Sequence, residues 1–391
     1  MKTTKKSLLI PGDFPPEVSG IATYFHEIWK FYNPDDNIIL AAKYKNWKAF
    51  DNKSILNIKR VGIPTGSSPF HKICKSIIYT IKTIQLHLKH KFELIHCGQV
   101  LSSGFTGWII KKIFRTPYVI YVYGSETYRF GNNKYLMRLI KLFLNEALCI
   151  VPNSKFTENE FINIGIKKNK FHIITPGVDI EKFKPTKVNN SLIEKYNLIN
   201  KKVLITVSRL DERKGHDKVI EALRILKPEF PEIIYLIVGT GREKPRLKKL
   251  VSDYKLESNV IFCGYVSDEM LPEYYNLCDI FILLNRQTTS DRSLGGDYEG
   301  FGIVFLEASA CAKPVIAGNY GGIYDAIEKN KSGFIVDSTD INKVTGSIKI
   351  LLTNESKSKN IGNYGYNRAV KNFTWENIAT NLNQKIKEIQ I

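Results

Sequence analysis

Short apolar runs punctuate the chain at 7–10, 38–41, 94–96, 118–122, 149–152 and 171–175. Each is apolar on both faces and bounded by Gly, Pro or Asn, a pattern that predicts buried strands. Between them apolar residues recur at helical spacing, as at Ile21, Phe25, Ile28, Trp29 and Tyr32 behind the candidate cap Ser19. Periodicity then lapses within 183–200, where Lys184-Pro185 and Asn189-Asn190-Ser191 interrupt it. A second series starts afresh with strands at 203–207, 233–238, 260–263, 280–284, 314–317 and 334–336, and a last helix over about 374–389 carries Trp375, Ile378, Leu382 and Ile386 on one face. Strand–helix alternation predicts parallel sheets covered by helices. The expected fold is α/β, with two tandem Rossmann-like, doubly wound domains at 1–183 and 184–373 and a C-terminal helix, 374–391, packed back on the first. Ligands of such sheets bind in the crevice outside the carboxyl ends of the strands.

The chain's 391 residues, 43% hydrophobic and 24% charged, fit two globular domains and exclude a disordered, collagen-like or disulfide-stapled protein. Lys and Arg number 57 against 38 Asp and Glu, a net charge of +19, unevenly spread. Residues 1–183 hold 27 basic and 13 acidic side chains and residues 184–391 hold 30 and 25, so the first half meets the anionic partner. Ile73, Ile77, Ile81, Ile84 and Leu88, with Lys72, Lys75, Lys82, Lys89 and Lys91 interleaved, predict a basic amphipathic helix. Such a helix suits an anionic membrane surface, or equally packing on its own domain. The six cysteines, at 74, 97, 149, 263, 278 and 311, lie no closer than fifteen residues apart, so they read as reduced core thiols rather than zinc ligands. The seven histidines likewise form no metal spacing. A four-residue apolar run before Pro11 is too short for a secretory signal, and no run reaches the ~18 residues of a membrane span. The expectation is a cytoplasmic protein, either free or peripheral on the cytoplasmic face of the membrane.

Three segments carry candidate chemistry. In Tyr298-Glu299-Gly300-Phe301-Gly302-Ile303, glycines flank Phe301 and a helical run follows at once, so free amides at that helix start can cradle phosphate or sugar oxygens. Glu307, more than a turn into the helix, offers a carboxylate that accepts two hydrogen bonds, as the vicinal hydroxyls of a ribose require. In Ser208-Arg209-Leu210-Asp211-Glu212-Arg213-Lys214-Gly215, a strand ends in a basic loop. Arg209 and Lys214 there can hold a diphosphate and stabilise its charge as it leaves. The third segment leads from the first strand to Ser19-Gly20-Ile21, where Gly20 permits close backbone approach.

These segments resemble the retaining GT-B glycosyltransferase family that includes sucrose synthases and phosphatidylinositol mannosyltransferases. The resemblance spans nearly the whole chain and includes Tyr123-Gly124-Ser125-Glu126, Pro152-Asn153-Ser154, Pro176-Gly177-Val178-Asp179 and Gly239-Thr240-Gly241. Residues 296–317 look most like the mannosyltransferase branch. The resemblance implies two domains about a central cleft, the second binding a nucleotide sugar and the first an acceptor. It implies that Glu307 takes the ribose, Arg209 and Lys214 the diphosphate, and Val266 the base through its backbone. Glu299 and the amides of Phe301, Gly302 and Ile303 would hold the transferred sugar, with Gly20 approaching the phosphates. Transfer would proceed with retention and without a metal. The family's usual His is here Tyr123, which can still donate a hydrogen bond, and Glu126 lies on the acceptor side. The expected reaction moves a hexose, mannose first, from a GDP- or UDP-linked donor to a hydroxyl of a cell-envelope glycan or lipid-linked acceptor. The alternative is a nucleotide-sugar epimerase of the same fold. A dinucleotide oxidoreductase lacks its third glycine at Gly239-Thr240-Gly241-Arg242-Glu243-Lys244, and no nucleic-acid-reading module is present.

Overall fold

A computed structural model describes residues 5–64, 69–124, 126–127, 131, 133–287 and 298–390, apart from the side chains of Pro69, Lys72 and Gln390. Ser125 of the 123–126 motif and residues 296–297 of the mannosyltransferase-like stretch lie outside them. The chain forms two compact units, Met1–Pro176 with Trp375–Ile391, and Gly177–Thr374.

In the first unit β1 (Ser7–Ile10), β2 (Asn37–Ala42), β3 (Asn57–Val61), β4 (Leu94–Cys97), β5 (Tyr118–Val122) and β6 (Cys149–Pro152) alternate with α1 (Gly20–Trp29), α2 (Trp47–Asp51), α3 (Pro69–His90), α4 (Ser103–Phe114), α5 (Lys134–Glu146) and α6 (Lys155–Asn163). All six strands are parallel, in the order β3-β2-β1-β4-β5-β6. One face packs under α3, α4, α5 and α6 through Tyr79, Leu86, Ile110, Ile140, Phe143 and Phe161. The other packs under α1 and the C-terminal helix, where Trp375, Ile378, Leu382 and Ile386 meet Tyr24, Ile28 and Trp29.

The second unit repeats the plan. Its strands are β7 (Lys202–Val207), β8 (Ile233–Val238), β9 (Val260–Gly264), β10 (Ile280–Leu283), β11 (Val315–Gly318) and β12 (Gly333–Val336). Its helices are α7 (Asn190–Lys195), α8 (His216–Leu226), α9 (Lys244–Asp253), α10 (Leu271–Leu277), α11 (Ile303–Ala310), α12 (Ile323–Ala326), α13 (Ile341–Thr353) and α14 (Glu355–Asn372), after which α15 (Trp375–Gln390) returns to the first unit. The order β12-β11-β10-β7-β8-β9, again all parallel, is the first sheet's order read from the other edge. Both are the Rossmann order, with a switch point between β1 and β4 in one and β7 and β10 in the other.

Three expectations need correction. The stretch 171–175 is not a strand: Phe171 makes one bridge to Ile150, and His172 and Ile174 donate to Ile150 and Pro152 at 3.0 and 3.1 Å. Pro152 has no N–H to return, so the ladder stops. The first boundary falls at Pro176–Gly177 rather than at 183–184, because Val178 N–H bonds Phe373 O at 2.7 Å and Phe183 packs in the second unit's core. Ile84 is partly buried against the first unit's core, whereas Phe70, Ile73, Ile77, Ile81 and Leu88 form an apolar stripe 48–71% exposed on α3. The six cysteines are free thiols. Among the described residues no helix is long and apolar enough to cross a membrane.

Candidate active site

The loops leaving the second sheet's switch-point strands carry its charges. β7 runs through Ser208, Arg209 and Leu210 into a 3-10 turn at Glu212–Lys214 and then α8. Gly215 has φ +71°, and a Cβ there would lie 2.1 Å from Leu284 O, so only glycine lets this turn press against the end of β10. Gly239-Thr240-Gly241 buttresses this loop. Leu210 N–H donates to Thr240 O at 3.0 Å, and a Cβ on Gly239 would strike Ser208 O.

Lys214 and Arg213, both buried, converge on Glu299: Lys214 Nζ donates to Glu299 Oε2, and Arg213 Nη1 lies 3.5 Å from the same oxygen. Burial by itself would raise the Glu299 carboxyl, but the two cations outweigh it and hold the group below the usual carboxylate range, ionised. Arg209 is more exposed, ion-paired with Asp211 at 3.1 Å, and its field reaches Lys214. Arg286 fixes the turn: its guanidinium makes two 2.8 Å bonds to Asp217 on α8, and its N–H donates to Arg213 O at 2.9 Å. His216, bonded to Ser208 Oγ and Tyr235 OH, is pushed down to about 4 by burial and is a neutral part of the scaffold.

Glu299 itself is clamped by its backbone, its carbonyl accepting Gly322 N–H at 2.8 Å. Buried Phe301 anchors the loop in the core, and Gly302, at φ +87°, turns the chain into α11. No side chain caps that helix, so the amides at Phe301, Gly302 and Ile303 open the kind of end that suits an anion or a sugar hydroxyl. Glu307 stands on α11, and its Oε2 accepts a 2.6 Å hydrogen bond from Tyr275 OH. Burial lifts the Glu307 carboxyl to about 7, although the Tyr275 bond pulls it down. Tyr275 is fully buried, edge-on to Phe183 at 5.6 Å and beside Phe281 at 5.7 Å, so its hydroxyl is fixed in place. Val266 follows β9, packed against the same core.

The structure thus brings Arg209, Lys214, Glu299 and the 301–303 turn together, with Glu307 further along the helix that the turn opens. Gly20, Tyr123 and Glu126 belong to the first unit. Gly20 opens α1, whose cap Ser19 accepts Ala22 N–H at 3.1 Å. Tyr123 leaves β5 with its hydroxyl buried and without a hydrogen-bond partner among the described residues; burial, with the Tyr24 and Glu126 fields, keeps it a neutral phenol. Sequence reasoning missed Arg213 and Tyr275. Arg213 adjoins Lys214 in a turn too short to have a helical pattern, and Tyr275 looks like any core aromatic.

Two Rossmann-order sheets in tandem, the second gathering cations and carboxylates at its switch point, define a GT-B glycosyltransferase. The comparisons agree. A model of glycosyl transferases group 1 matches residues 189–368, and one of glycosyltransferase family 4 matches residues 20–182. The GDP-mannose-dependent alpha-(1-6)-phosphatidylinositol monomannoside mannosyltransferase of Mycolicibacterium smegmatis is 27% identical over 96% of each chain. The capsular polysaccharide biosynthesis glycosyltransferase CapM of Staphylococcus aureus is 28% identical over 79% of this chain and 81% of that one. The crystal structure of Anabaena Alr3699/HepE in complex with UDP shares the fold at a TM-score of 0.82 and 20% identity, covering 98% of this chain and 100% of that one. The chain belongs to the retaining GT-B glycosyltransferases of the family 4, group 1 type. It is a nucleotide-sugar hexosyltransferase, and nothing in these relatives supports the epimerase alternative.

Proposed function

We propose that the enzyme transfers mannose from a GDP-linked donor, with UDP donors the second choice, to a hydroxyl of a lipid-linked or cell-envelope glycan acceptor at the cytoplasmic face of a membrane. The observation that carries the donor assignment is the convergence of Lys214 and Arg213 on Glu299 beside the open start of α11. Lys214 has three N–H donors and spends one on Glu299, leaving two for the donor diphosphate. Together with Arg209 it offsets the charge that develops on the leaving phosphate, a role open to a cationic pair without a metal. Glu299 and the 301–303 amides hold the hexose, Glu307 the ribose, and the Val266 backbone the base. Gly20 serves the phosphates, the unspent phenol of Tyr123 the transferred sugar, and Glu126 the acceptor. The mannose choice follows the relative from Mycolicibacterium smegmatis.

Membrane docking is part of the same proposal. α3, α4 and α5 cover one face of the first sheet and together hold nine Lys or Arg against the single Glu146, which Lys111 and Lys112 already engage. Their outer sides expose Phe70, Ile73, Ile77, Ile81 and Leu88 on α3, Ile113 on α4, and Tyr135, Leu139 and Leu142 on α5. Apolar side chains ringed by cations suit insertion among anionic headgroups.

The donor test is a thermal-shift screen of GDP- and UDP-linked hexoses with and without EDTA. A true donor at a hundred times its dissociation constant stabilises the protein by about 2.7 kcal/mol. The shift should survive EDTA and disappear in Lys214→Gln. A donor that stabilises Lys214→Gln as it does the parent would overturn the phosphate assignment.

A further inference from the structure

The segment that leaves β10 holds a side chain that none of the donor roles uses. Asn285 stands just beyond that strand, at the β7–β10 switch point, and is 2% exposed. Neighbouring loop ends press on its main chain. Ser338 Oγ donates to Asn285 O at 3.1 Å, and a Cβ on Gly318 would lie 2.0 Å from the same carbonyl, so β11 can end there only on glycine. The next residue, Arg286, donates its N–H to Arg213 O at 2.9 Å. Asn285 Nδ2 donates to Tyr320 O. Tyr320 begins a strap, residues 320–322, whose Gly322 N–H bonds Glu299 O at 2.8 Å. Gly321, at φ +99°, lies so close that a Cβ would stand 2.3 Å from that oxygen. Asn285 and Arg286 are thus tied to both supports of Glu299, the strap on one side and Arg213 on the other.

Half of the Asn285 carboxamide is unspent. Its Oδ1 is buried and accepts no hydrogen bond among the described residues. The bond to Tyr320 O fixes which arm is which, because a carbonyl cannot accept from an oxygen. A buried acceptor left empty weakens a fold, so this one calls for a donor from outside the chain. An ionised phosphate has no hydrogen to give and would repel Oδ1. The base is assigned to the loop after β9, three strands from β10 and about 14 Å away at the usual interstrand spacing. The ribose is assigned to Glu307. The transferred hexose remains: it is rich in O–H donors, and it is assigned to Glu299, the carboxylate whose backbone the same strap holds.

We infer that Asn285 is a specificity-determining residue of the hexose subsite, accepting one hydroxyl of the transferred sugar at Oδ1 while its Nδ2 holds the 320–322 strap. This rests on the reading that Glu299 and the 301–303 amides hold the hexose, and it narrows the sugars that reading admits. A sugar that lacks the hydroxyl, or carries a substituent on its oxygen, leaves Oδ1 empty and is rejected.

Calorimetry on the full chain tests this with GDP-mannose and UDP-glucose, each beside its 2-, 3-, 4- and 6-deoxy analogues and the bare nucleotide. In the parent, one analogue of the donor that binds should bind about fivefold more weakly than the complete sugar through loss of this bond. In Asn285→Ala that analogue and the complete sugar should bind alike, while penalties at the other positions and affinity for bare nucleotide stay as in the parent. Asn285→Asp, equal in size and still an acceptor, should keep the penalty, and it decides the question if Asn285→Ala melts too low to titrate. Unchanged penalties at every position in Asn285→Ala, the result expected if water alone serves Oδ1, would overturn the inference and leave the donor reading intact. Loss of the penalty in Asn285→Asp would do the same. Failure of the parent to bind either nucleotide would overturn the donor reading and this inference with it.

Discussion

Tyr275→Phe isolates the role of a single hydroxyl in donor binding. In the parent, the 2.6 Å bond from Tyr275 to Glu307 holds down a carboxyl that burial has lifted to about 7. A hydrogen bond to a charged group contributes about 1.5–3 kcal/mol. At 1.36 kcal/mol per pH unit, its loss moves half-ionisation of Glu307 up from about 7 to about 8–9. Only the ionised carboxylate accepts from both ribose hydroxyls, so affinity for the nucleotide should rise with pH as Glu307 loses its proton. At pH 8 about nine-tenths of the parent is ionised, against roughly half to a tenth of the variant, which predicts about a two- to tenfold weaker dissociation constant. Calorimetry of nucleoside diphosphate binding from pH 6 to 9 reads this directly, with Glu307→Gln as the control that should bind weakly and flatten the pH dependence. A Tyr275→Phe curve that overlays the parent, or a Glu307→Gln curve that keeps the parent's pH dependence, would refute the reasoning.

Because the folded Glu307 carboxyl titrates higher than a free one, it costs stability as pH rises from about 4.5 to about 7. Glu307→Gln should therefore raise stability at pH 8 by at most about 3 kcal/mol and change little at pH 4, as denaturant melts would show. Arg213→Ala removes a buried partner of ionised Glu299 and should lower kcat by about tenfold or more, with a smaller effect on nucleotide affinity, in steady-state assays. Tyr123→Phe keeps the ring packing against Tyr24 and Phe25 but loses the unspent hydroxyl; turnover should fall with melting temperature unchanged or higher. Joint replacement Ile77→Asp and Ile81→Asp should abolish co-sedimentation with phosphatidylglycerol vesicles while leaving the melting temperature near that of the parent.

The buried strands were the most legible features of the sequence. β1, β5, β6 and β8 have the predicted limits because a strand covered on both faces is a continuous apolar run with sharp ends. β3, Asn57–Val61, was invisible for the opposite reason: it is an edge strand, half-buried, with Lys59 and Arg60 in its middle. The 171–175 run has strand composition, but its pairing fails at a proline on the neighbouring strand, which lies outside any local window. At the site, glycines and charges in loops marked Arg209, Lys214, Glu299 and the 301–303 turn. What one sequence could not reveal was which charges meet: Arg213 joins Glu299 through a turn held by Gly215, and Tyr275 reaches Glu307 across 32 positions.

The return of α15 to the first unit means that the gene order of the two units is not their order of completion. Trp375, Ile378, Leu382 and Ile386 fill part of the first core, yet they are translated after the whole second unit. A nascent chain must carry an unfinished amino-terminal core past the synthesis of about two hundred further residues. A premature stop just before Trp375 would therefore damage the half of the protein made first.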